Sequence, residues 1–150
     1  MRSWMLRHAL NLYPPYLGAG VSVTHLADDY TSVTVELRLR RYNRNYVGTH
    51  FGGNLFSMTD PFYMLMLINQ LGPAYNVWDQ KSEITFVKPG RGTVRAHMEV
   101  TPARVEAIRA ATAGGVKHFA TFEVDIVDAD RAVVATVHKT VYVREKPPRG

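Results

Sequence analysis

Residues 45–71 read NYVGTHFGGNLFSMTDPFYMLMLINQL, and this stretch decides the fold that the sequence predicts. Its second half contains an unbroken apolar run from Pro61 to Ile68, and Gly72-Pro73 follows as a helix terminator. A helix that is apolar on every side is buried, because none of its faces favours contact with water. We therefore expect Phe62–Leu71 to form a helix that the rest of the domain encloses.

Strand patterns lie on both sides of this helix in the sequence. In Ser32–Arg40 and in Thr93–Val100, apolar and polar residues alternate, which is typical of a strand with one buried face and one wet face. Four more strands are expected at Val21–Leu26, Trp78–Lys88, Val116–Val127 and Ala132–Arg144. One long apolar helix held against one curved antiparallel sheet is an α+β fold.

The remaining segments complete a single-domain interpretation of residues 1–150. Residues 1–14 contain an amphipathic helix over positions 4–12, with Ser3 as its N-cap and Pro14-Pro15 as its stop. Pro102–Ala113 is ambiguous and fits a helical turn that ends at Gly114-Gly115. The tail over residues 145–150 is rich in proline and basic residues and is expected to be frayed.

Composition excludes several classes of protein. The chain contains 0 cysteines, which excludes a disulfide framework, a thiol nucleophile and a cysteine zinc site. The first residues lack a continuous apolar signal segment, and the longest apolar run is far shorter than the roughly 20 residues of a membrane span. We therefore expect a cytoplasmic protein with no membrane partner.

Net charge raises the question of a nucleic-acid partner. The formal charge is +5, but the basic residues are scattered, and the densest groups are Arg38–Arg41 with Arg44, and Lys88 with Arg91. The sequence contains no RNP-type aromatic motif, zinc knuckle or basic helix. We expect no nucleic acid as partner, and a modest positive patch suits a phosphorylated small molecule equally well.

The polar half of the opening stretch, residues 45–60, gathers an amide, an imidazole, a double glycine and a carboxylate. Polar groups at the mouth of a buried segment cost free energy unless they are paired or used. A glycine pair lets the backbone approach a ligand closely and offers N–H groups at a helix start, which suits stabilisation of a developing oxyanion. This stretch is therefore the predicted functional site.

The element order and this stretch together resemble the hotdog superfamily, in which a strongly curved antiparallel sheet wraps a central helix. The local pattern resembles the acyl-CoA thioesterase branch typified by phenylacetyl-CoA thioesterase. That branch has an Asn, five residues later His-Gly-Gly, and then Gln-Leu-Phe-Ser-Leu-Ala-Asp. Here Asn45 is followed in the same way by Phe51-Gly52-Gly53 and then by NLFSMTD, which ends at Asp60. The chain also resembles an uncharacterised hotdog subfamily marked by an Asn-Tyr-Val-Gly-Thr-His-Phe-Gly-Gly segment.

This chain departs from the thioesterase pattern at two positions. Phe51 stands where the family has its histidine, and His50 lies one residue early, so its side chain points differently in an extended loop. Pro61 follows the acidic residue, where the family helix is continuous. A proline inside a helix removes a hydrogen bond and kinks the helix.

The resemblance implies hydrolysis of an acyl-CoA or related thioester, whose acyl group is carried by CoA or by an acyl-carrier protein. In that scheme Asp60 acts as base or nucleophile, Asn45 positions the attacking group, and the backbone at Gly52 and Gly53 polarises the carbonyl. His50 is a further candidate base. The acyl tunnel would be lined by Phe56, Phe62, Tyr63, Met64 and Leu67.

The resemblance further implies an assembly and a way of holding CoA. Arg91 would contact the CoA phosphates, and the chain would assemble as a homodimer or a dimer of dimers. Long regular strands support an even-order oligomer, because their exposed edges need covering. We expect no metal and no cofactor.

Each of these residues also has an ordinary structural interpretation. Asp60 before Pro61 fits a helix N-cap followed by the first helical position. Asn45 fits a local side-chain turn, the glycines fit close packing, and a lone loop histidine such as His50 is more often structural. Arg91 fits a solvated turn.

Two alternatives to hydrolysis remain open. A non-hydrolytic acyl-CoA or acyl-binding hotdog protein is favoured by the missing histidine and by Pro61. An acyl hydratase or dehydratase ranks third: His50-Phe51 resembles the His-Phe of that branch, but its expected spacing and its following Pro-Gly element are absent.

Overall fold

The computed structural model describes residues 2–147. Its helices are α1 (Ser3–Asn11), α2 (Pro14–Ala19), α3 (Gly52–Ser57), α4 (Phe62–Leu71) and α5 (Pro102–Thr112), with a 3₁₀ turn at Ala113–Gly115. Its strands are β1 (Val21–Leu26), β2 (Ser32–Arg38), β3 (Tyr75–Phe86), β4 (Thr93–Glu99), β5 (His118–Val127) and β6 (Val133–Glu145). The expected α+β composition is confirmed.

The strands form a single six-stranded sheet in the order β1-β2-β4-β5-β6-β3. Every pair of neighbouring strands is antiparallel. The middle pair, β4 and β5, is joined only at Arg95↔Val127 and Ala96↔Ile126, whereas β6 is paired along its length on both sides. Such a short junction lets the two halves of the sheet turn toward each other, so the sheet curves around one layer of helix.

Helix α4 lies inside this curve, as the apolar run predicted. Its buried side chains are Phe62, Tyr63, Met66, Leu67 and Leu71, and the helix contacts β3, β4 and β6. Burial of each large apolar side chain contributes about 1.5–3 kcal/mol relative to exposure. The helix is nevertheless not enclosed on every side, because Ile68 is 40% exposed and Asn69 is exposed as well.

The alternation of the strands orients the sheet. Along β2, Val33, Val35 and Leu37 are fully buried, and along β4 the same holds for Val94, Ala96 and Met98. The intervening polar residues lie on the outer face, where Arg95 pairs with Glu36 across the two strands. Because side chains of a strand point alternately to opposite faces, the predicted pattern is enough to place the core.

The helices at the two ends of the fold differ from the expectations. Pro14 begins a second short helix instead of only ending the first, because proline is tolerated in the first turn, where its missing N–H would have no helical partner. Ser3 is the first residue of α1 and not its N-cap. The ambiguous segment after Pro102 is a full helix, capped by the Thr101 hydroxyl, which accepts from the Arg104 N–H at 3.2 Å.

The C-terminal tail is more ordered than predicted where the structure describes it. Glu145 is the last residue of β6 and pairs with Tyr75, so the expected fraying from residue 145 is wrong there. The Lys146 backbone N–H donates to the Ala74 carbonyl at 2.8 Å. Residues 148–150 lie outside the described range.

Within residues 2–147, no helix combines the length and apolar character needed to cross a bilayer.

Candidate active site

Asp60 lies in the turn between α3 and α4. Helix α4 begins at Phe62, and Pro61 occupies its N-cap position with φ −86° and ψ −10° and no capping side chain. The N-cap interpretation of Asp60 is therefore wrong, and the two helices are separated by a turn instead of forming one kinked helix. Without a capping role, the Asp60 carboxylate is free to turn toward the sheet.

The partner of Asp60 is a buried lysine on the sheet. The Lys139 side chain on β6 is 0% exposed, and its Nζ lies 3.2 Å from Asp60 Oδ1 and 3.2 Å from Asp79 Oδ2 on β3. The Asp60 side chain is 53% exposed and that of Asp79 is 24% exposed. A buried ammonium is costly unless anions and hydrogen bonds compensate for its lost hydration, and here two carboxylates do so.

The electrostatics of this group differ from one carboxylate to the other. Burial raises the pKa of Asp79, while the charge of Lys139 and its hydrogen bond oppose that rise and the charge of Asp60 adds to it. Within the described residues, Asp79 Oδ1 is buried without a hydrogen-bond partner. Asp79 is therefore the less solvated of the two carboxylates, and Asp60 is the more exposed one.

A tyrosine hydroxyl lies on the other side of the turn. The Tyr16 hydroxyl donates to the Ser57 carbonyl at 3.1 Å, at the last residue of α3. Burial and the nearby charge of Asp60 raise the pKa of Tyr16, so the phenol is neutral at physiological pH. Tyr16 thus anchors the end of α3 just before Asp60.

The double glycine forms the first turn of α3, where helix N–H groups have no partner within the helix. A Cβ on Gly52 would lie 2.8 Å from Phe86 Cζ, and one on Gly53 would lie 2.6 Å from Phe51 Cε1. Both glycines therefore leave room for the close approach of an aromatic ring, and these two rings are themselves exposed, Phe51 by 54% and Phe86 by 55%. Phe51 thus covers the start of α3 with an exposed ring. It stands at the position where the thioesterase pattern has a histidine.

Asn45 organises the loop that leads into α3. Its Oδ1 accepts from the N–H groups of Val47 (3.1 Å) and Thr49 (2.9 Å). Its Nδ2 donates to Thr49 Oγ1 (2.9 Å) and to the His50 carbonyl (3.2 Å). Because both amide N–H groups and the carbonyl oxygen are in use, the turn interpretation of Asn45 describes this structure.

His50 is also held inside the loop. It is buried, and its Nε2 lies 2.9 Å from the Gly92 carbonyl, to which it donates. Its Nδ1 is buried without a hydrogen-bond partner in the described range. Burial lowers the pKa of His50, with the Gly92 bond opposing the shift, so the ring is neutral and structural.

The predicted tunnel residues fall into two groups. Phe62, Tyr63 and Leu67 are buried core residues of the single chain, and the Tyr63 hydroxyl donates to the Glu123 carbonyl at 3.1 Å. The tunnel role predicted for these three is therefore not seen in one chain. Phe56 and Met64 are half-buried and remain at the border of the core. Arg91 is exposed in the turn between β3 and β4.

The structure thus brings the predicted residues together only in part. Asn45, His50 and Gly52-Gly53 form one continuous loop and helix start, whereas Asp60 lies beyond the other end of α3. A helix of 6 residues is about 9 Å long at roughly 1.5 Å per residue. Within one chain, Asp60 and the double glycine therefore lie at opposite ends of α3.

Sequence reasoning missed Lys139, Asp79 and Tyr16. A signal for Lys139 was present, because it occupies an inward position of an alternating strand between Val137 and Val141. A charged residue in the core register of a strand is rarely buried without a partner. Its partners could not be named, because they come from distant segments.

Among residues 2–147, no three histidine or acidic side chains are grouped so that they could hold a metal ion.

Comparisons with known proteins give a family and a fold. The chain is similar to a probable thioesterase of unknown function from Pseudomonas aeruginosa, at 17% identity and a TM-score of 0.81 over 95% of each chain. It is similar to a thioesterase from Haemophilus influenzae at 10% identity and a TM-score of 0.69, over 99% of this chain and 94% of that one. A phenylacetic acid degradation protein from Thermus thermophilus, in mutant form, matches at 22% identity and a TM-score of 0.59, over 86% and 97%.

At these identities the solved structures establish the fold alone, which is the hotdog fold that the sequence resemblance implied. No curated protein matches the chain significantly. The profile of a domain of unknown function, DUF4442, matches residues 2–143. The curved sheet around α4 and this match along almost the whole sequence lead to one conclusion: the chain belongs to the DUF4442 family.

Proposed function

We propose that this protein hydrolyses acyl thioesters and that Asp60 is its general base. The observation that carries the proposal is the Asp60 carboxylate, which is half-exposed while a fully buried ammonium holds its Oδ1. Its Oδ2 is left to a water molecule. The names of two similar structures, a probable thioesterase and a thioesterase, support the same class of reaction.

The reaction follows from this carboxylate. Asp60 takes a proton from water while the water oxygen bonds to the thioester carbonyl carbon, which gives a tetrahedral oxyanion. The carbon–sulfur bond then breaks, and Asp60 returns the proton to the leaving thiolate, so the products are a carboxylic acid and a thiol. A positioned base of this kind contributes roughly 10²–10⁴-fold to the rate.

The oxyanion would be stabilised by the backbone at Gly52 and Gly53, and in this proposal a second copy of the chain supplies that backbone. Within one chain the two groups lie at opposite ends of α3, which favours a site completed by a second copy. Strand β3 has an open edge, since within the described residues it pairs only with β6. Pairing of two β3 edges would cover exposed Trp78 and Phe86.

The position of Phe86 links this assembly to the site. It is the last residue of β3, and its ring lies over Gly52. A second copy along β3 would therefore lie close to the start of α3.

The remaining predicted residues have roles around this interface. In this proposal the oligomer is a homodimer or a dimer of dimers. Asn45 holds the loop that presents the glycines, and Phe56 and Met64 border the acyl chain. Arg91 would meet the CoA phosphates.

The test is a panel of short-chain, medium-chain and aromatic acyl-CoA substrates, read by thiol release. We expect turnover by the wild type and a kcat at least about two orders of magnitude lower for Asp60→Asn, the usual scale for losing a general base. Asp130→Asn, a matched change on an exposed loop residue, should behave as wild type. Undiminished turnover by Asp60→Asn would refute the mechanism, and an inactive wild type would refute the function.

A second candidate is a protein that binds acyl-CoA without hydrolysing it. Two observations favour it: Phe51 occupies the family histidine position, and the Asn45 amide is committed to its own loop. Binding by calorimetry with no turnover across the panel would establish this alternative. The dehydratase alternative is weaker, because the His50 ring it requires is buried against Gly92.

A further inference from the structure

Lys139 occupies a position where the fold has no need of a charge. Along the inner face of β6 its neighbours are Val137, Val141 and Val143, all fully buried. Replacing a buried ion pair by well-packed apolar residues is often neutral or stabilising. A side chain of the valine type would therefore complete this core, and the ammonium needs another explanation.

The two anions reach Lys139 from different elements. Asp79 comes from β3, at the point where the register with β6 shifts between Asp79 and Lys81. A bulge of this kind locally re-aims side chains, and here the carboxylate beside it points at the ammonium. Asp79 supplies the buried counter-charge that an ammonium without water requires.

Asp60 is the second anion and the only exposed member of the group. It belongs to a turn and has no capping role, so nothing within its own segment holds its carboxylate. The contact from Lys139 Nζ to Oδ1 supplies that restraint at 3.2 Å, and among the described residues no group donates a hydrogen bond to Oδ2. A base held in one orientation avoids the loss of rate that follows from about 1 Å of misplacement.

We propose that Lys139 is a positioning residue for thioester hydrolysis: it fixes the Asp60 carboxylate through Oδ1 and leaves Oδ2 to the attacking water, while Asp79 is its counter-ion. The inference rests on the proposed function and deepens it. Lys139 itself touches neither water nor acyl group in this arrangement. Its effect passes entirely through Asp60.

The first experiment compares two variants that differ only at Lys139. Asp79→Asn keeps the lysine on Asp60, and Lys139→Met with Asp79→Asn removes the lysine without leaving a buried unpaired carboxylate. We expect the double variant to lose about 10- to 100-fold in kcat relative to Asp79→Asn, with KM changed by less than about 3-fold, because positioning acts on the chemical step. Circular dichroism checks the fold, and Lys81→Met is the matched exposed control.

The second experiment separates the charge from the volume of the side chain. Because the chain contains 0 cysteines, Lys139→Cys in the Asp79→Asn background can be alkylated at a single place in urea and then refolded. Bromoethylamine restores an ammonium at nearly the length of lysine, and bromoethanol installs a hydroxyl of the same reach. We expect only the aminoethylated protein to regain the kcat of Asp79→Asn.

The outcomes distinguish the two proposals. Equal recovery with both reagents, or a double variant as fast as Asp79→Asn, would overturn the role of Lys139 while hydrolysis by Asp60 stands. A wild type that turns over no thioester would overturn the proposed function and this inference with it. If the methionine variant does not fold, the comparison of the two alkylated proteins decides alone.

Discussion

Replacing Lys139 by methionine should destabilise the fold strongly, because it removes the cation and keeps the apolar stem. At 3.2 Å each ion pair has an attraction of about 5 kcal/mol at an effective dielectric constant of about 20. Desolvation of the ammonium offsets much of that, and water screens the exposed Asp60. The net destabilisation therefore comes mainly from the Asp79 carboxylate, which is mostly buried and would have lost its counter-ion.

Breaking a buried pair by removing one partner costs about 3–5 kcal/mol. Asp79 is 24% exposed, so we expect the lower end of this range, about 3 kcal/mol. For a chain of 150 residues this corresponds to a Tm lower by about 6–12 °C. Lys139→Met with Asp79→Asn should recover most of the loss, since no unpaired charge is then buried.

The assay is urea unfolding followed by tryptophan fluorescence, for which Trp78, next to Asp79 on β3, is a local probe. Lys81→Met serves as control, because both side chains of the Lys81–Glu83 ion pair are exposed. Such a pair contributes about 0–1 kcal/mol to stability. Unchanged stability of Lys139→Met at neutral pH would refute the reasoning, because it would mean that the Asp79 charge does not depend on the lysine.

The pH dependence of this loss has a defined sign. Burial raises the pKa of Asp79, and in Lys139→Met the opposing charge of the lysine is gone, so the folded variant binds a proton at Asp79 more readily than the unfolded chain. Stability of the variant therefore falls as pH rises through this raised pKa. The difference between the variant and the wild type should narrow at acidic pH. A constant difference across the pH range would contradict this account.

Three further predictions concern the loop and the assembly. Asn45→Ala removes the hydrogen bonds that hold residues 45–50 and should cost about 1–3 kcal/mol in urea unfolding, with a smaller loss of kcat than Asp60→Asn. Because burial lowers the pKa of folded His50, the wild type should lose stability as pH falls below 6.5, by at most about 1.4 kcal/mol per pH unit, and His50→Gln should remove this part of the slope. Sedimentation at micromolar concentration should show an even-order oligomer, and a monomer would count against pairing along β3.

Much of the fold could be predicted from the sequence because its signals are local. The alternation in β2 and β4 placed their buried faces, and the apolar run Phe62–Leu71 has the bounds of α4. Each of these patterns is decided by burial of neighbouring residues with a fixed period. The α5 helix was underestimated because its pattern is interrupted by polar residues and its cap at Thr101 is a single contact.

The functional site could be predicted only where it is continuous in sequence. The sequence by itself determined that an amide, a glycine pair and a carboxylate directly precede the central helix, because the segment from Asn45 to Asp60 is one motif. The tertiary structure alone decided what these groups contact: Asn45 holds its own loop, and Asp60 faces a lysine from the last strand. The Lys139 partners lie far away along the chain: pairing of β3 with β6 brings Asp79 to the ammonium, and packing of the turn before α4 against the sheet brings Asp60 to it, each carboxylate at 3.2 Å from Nζ.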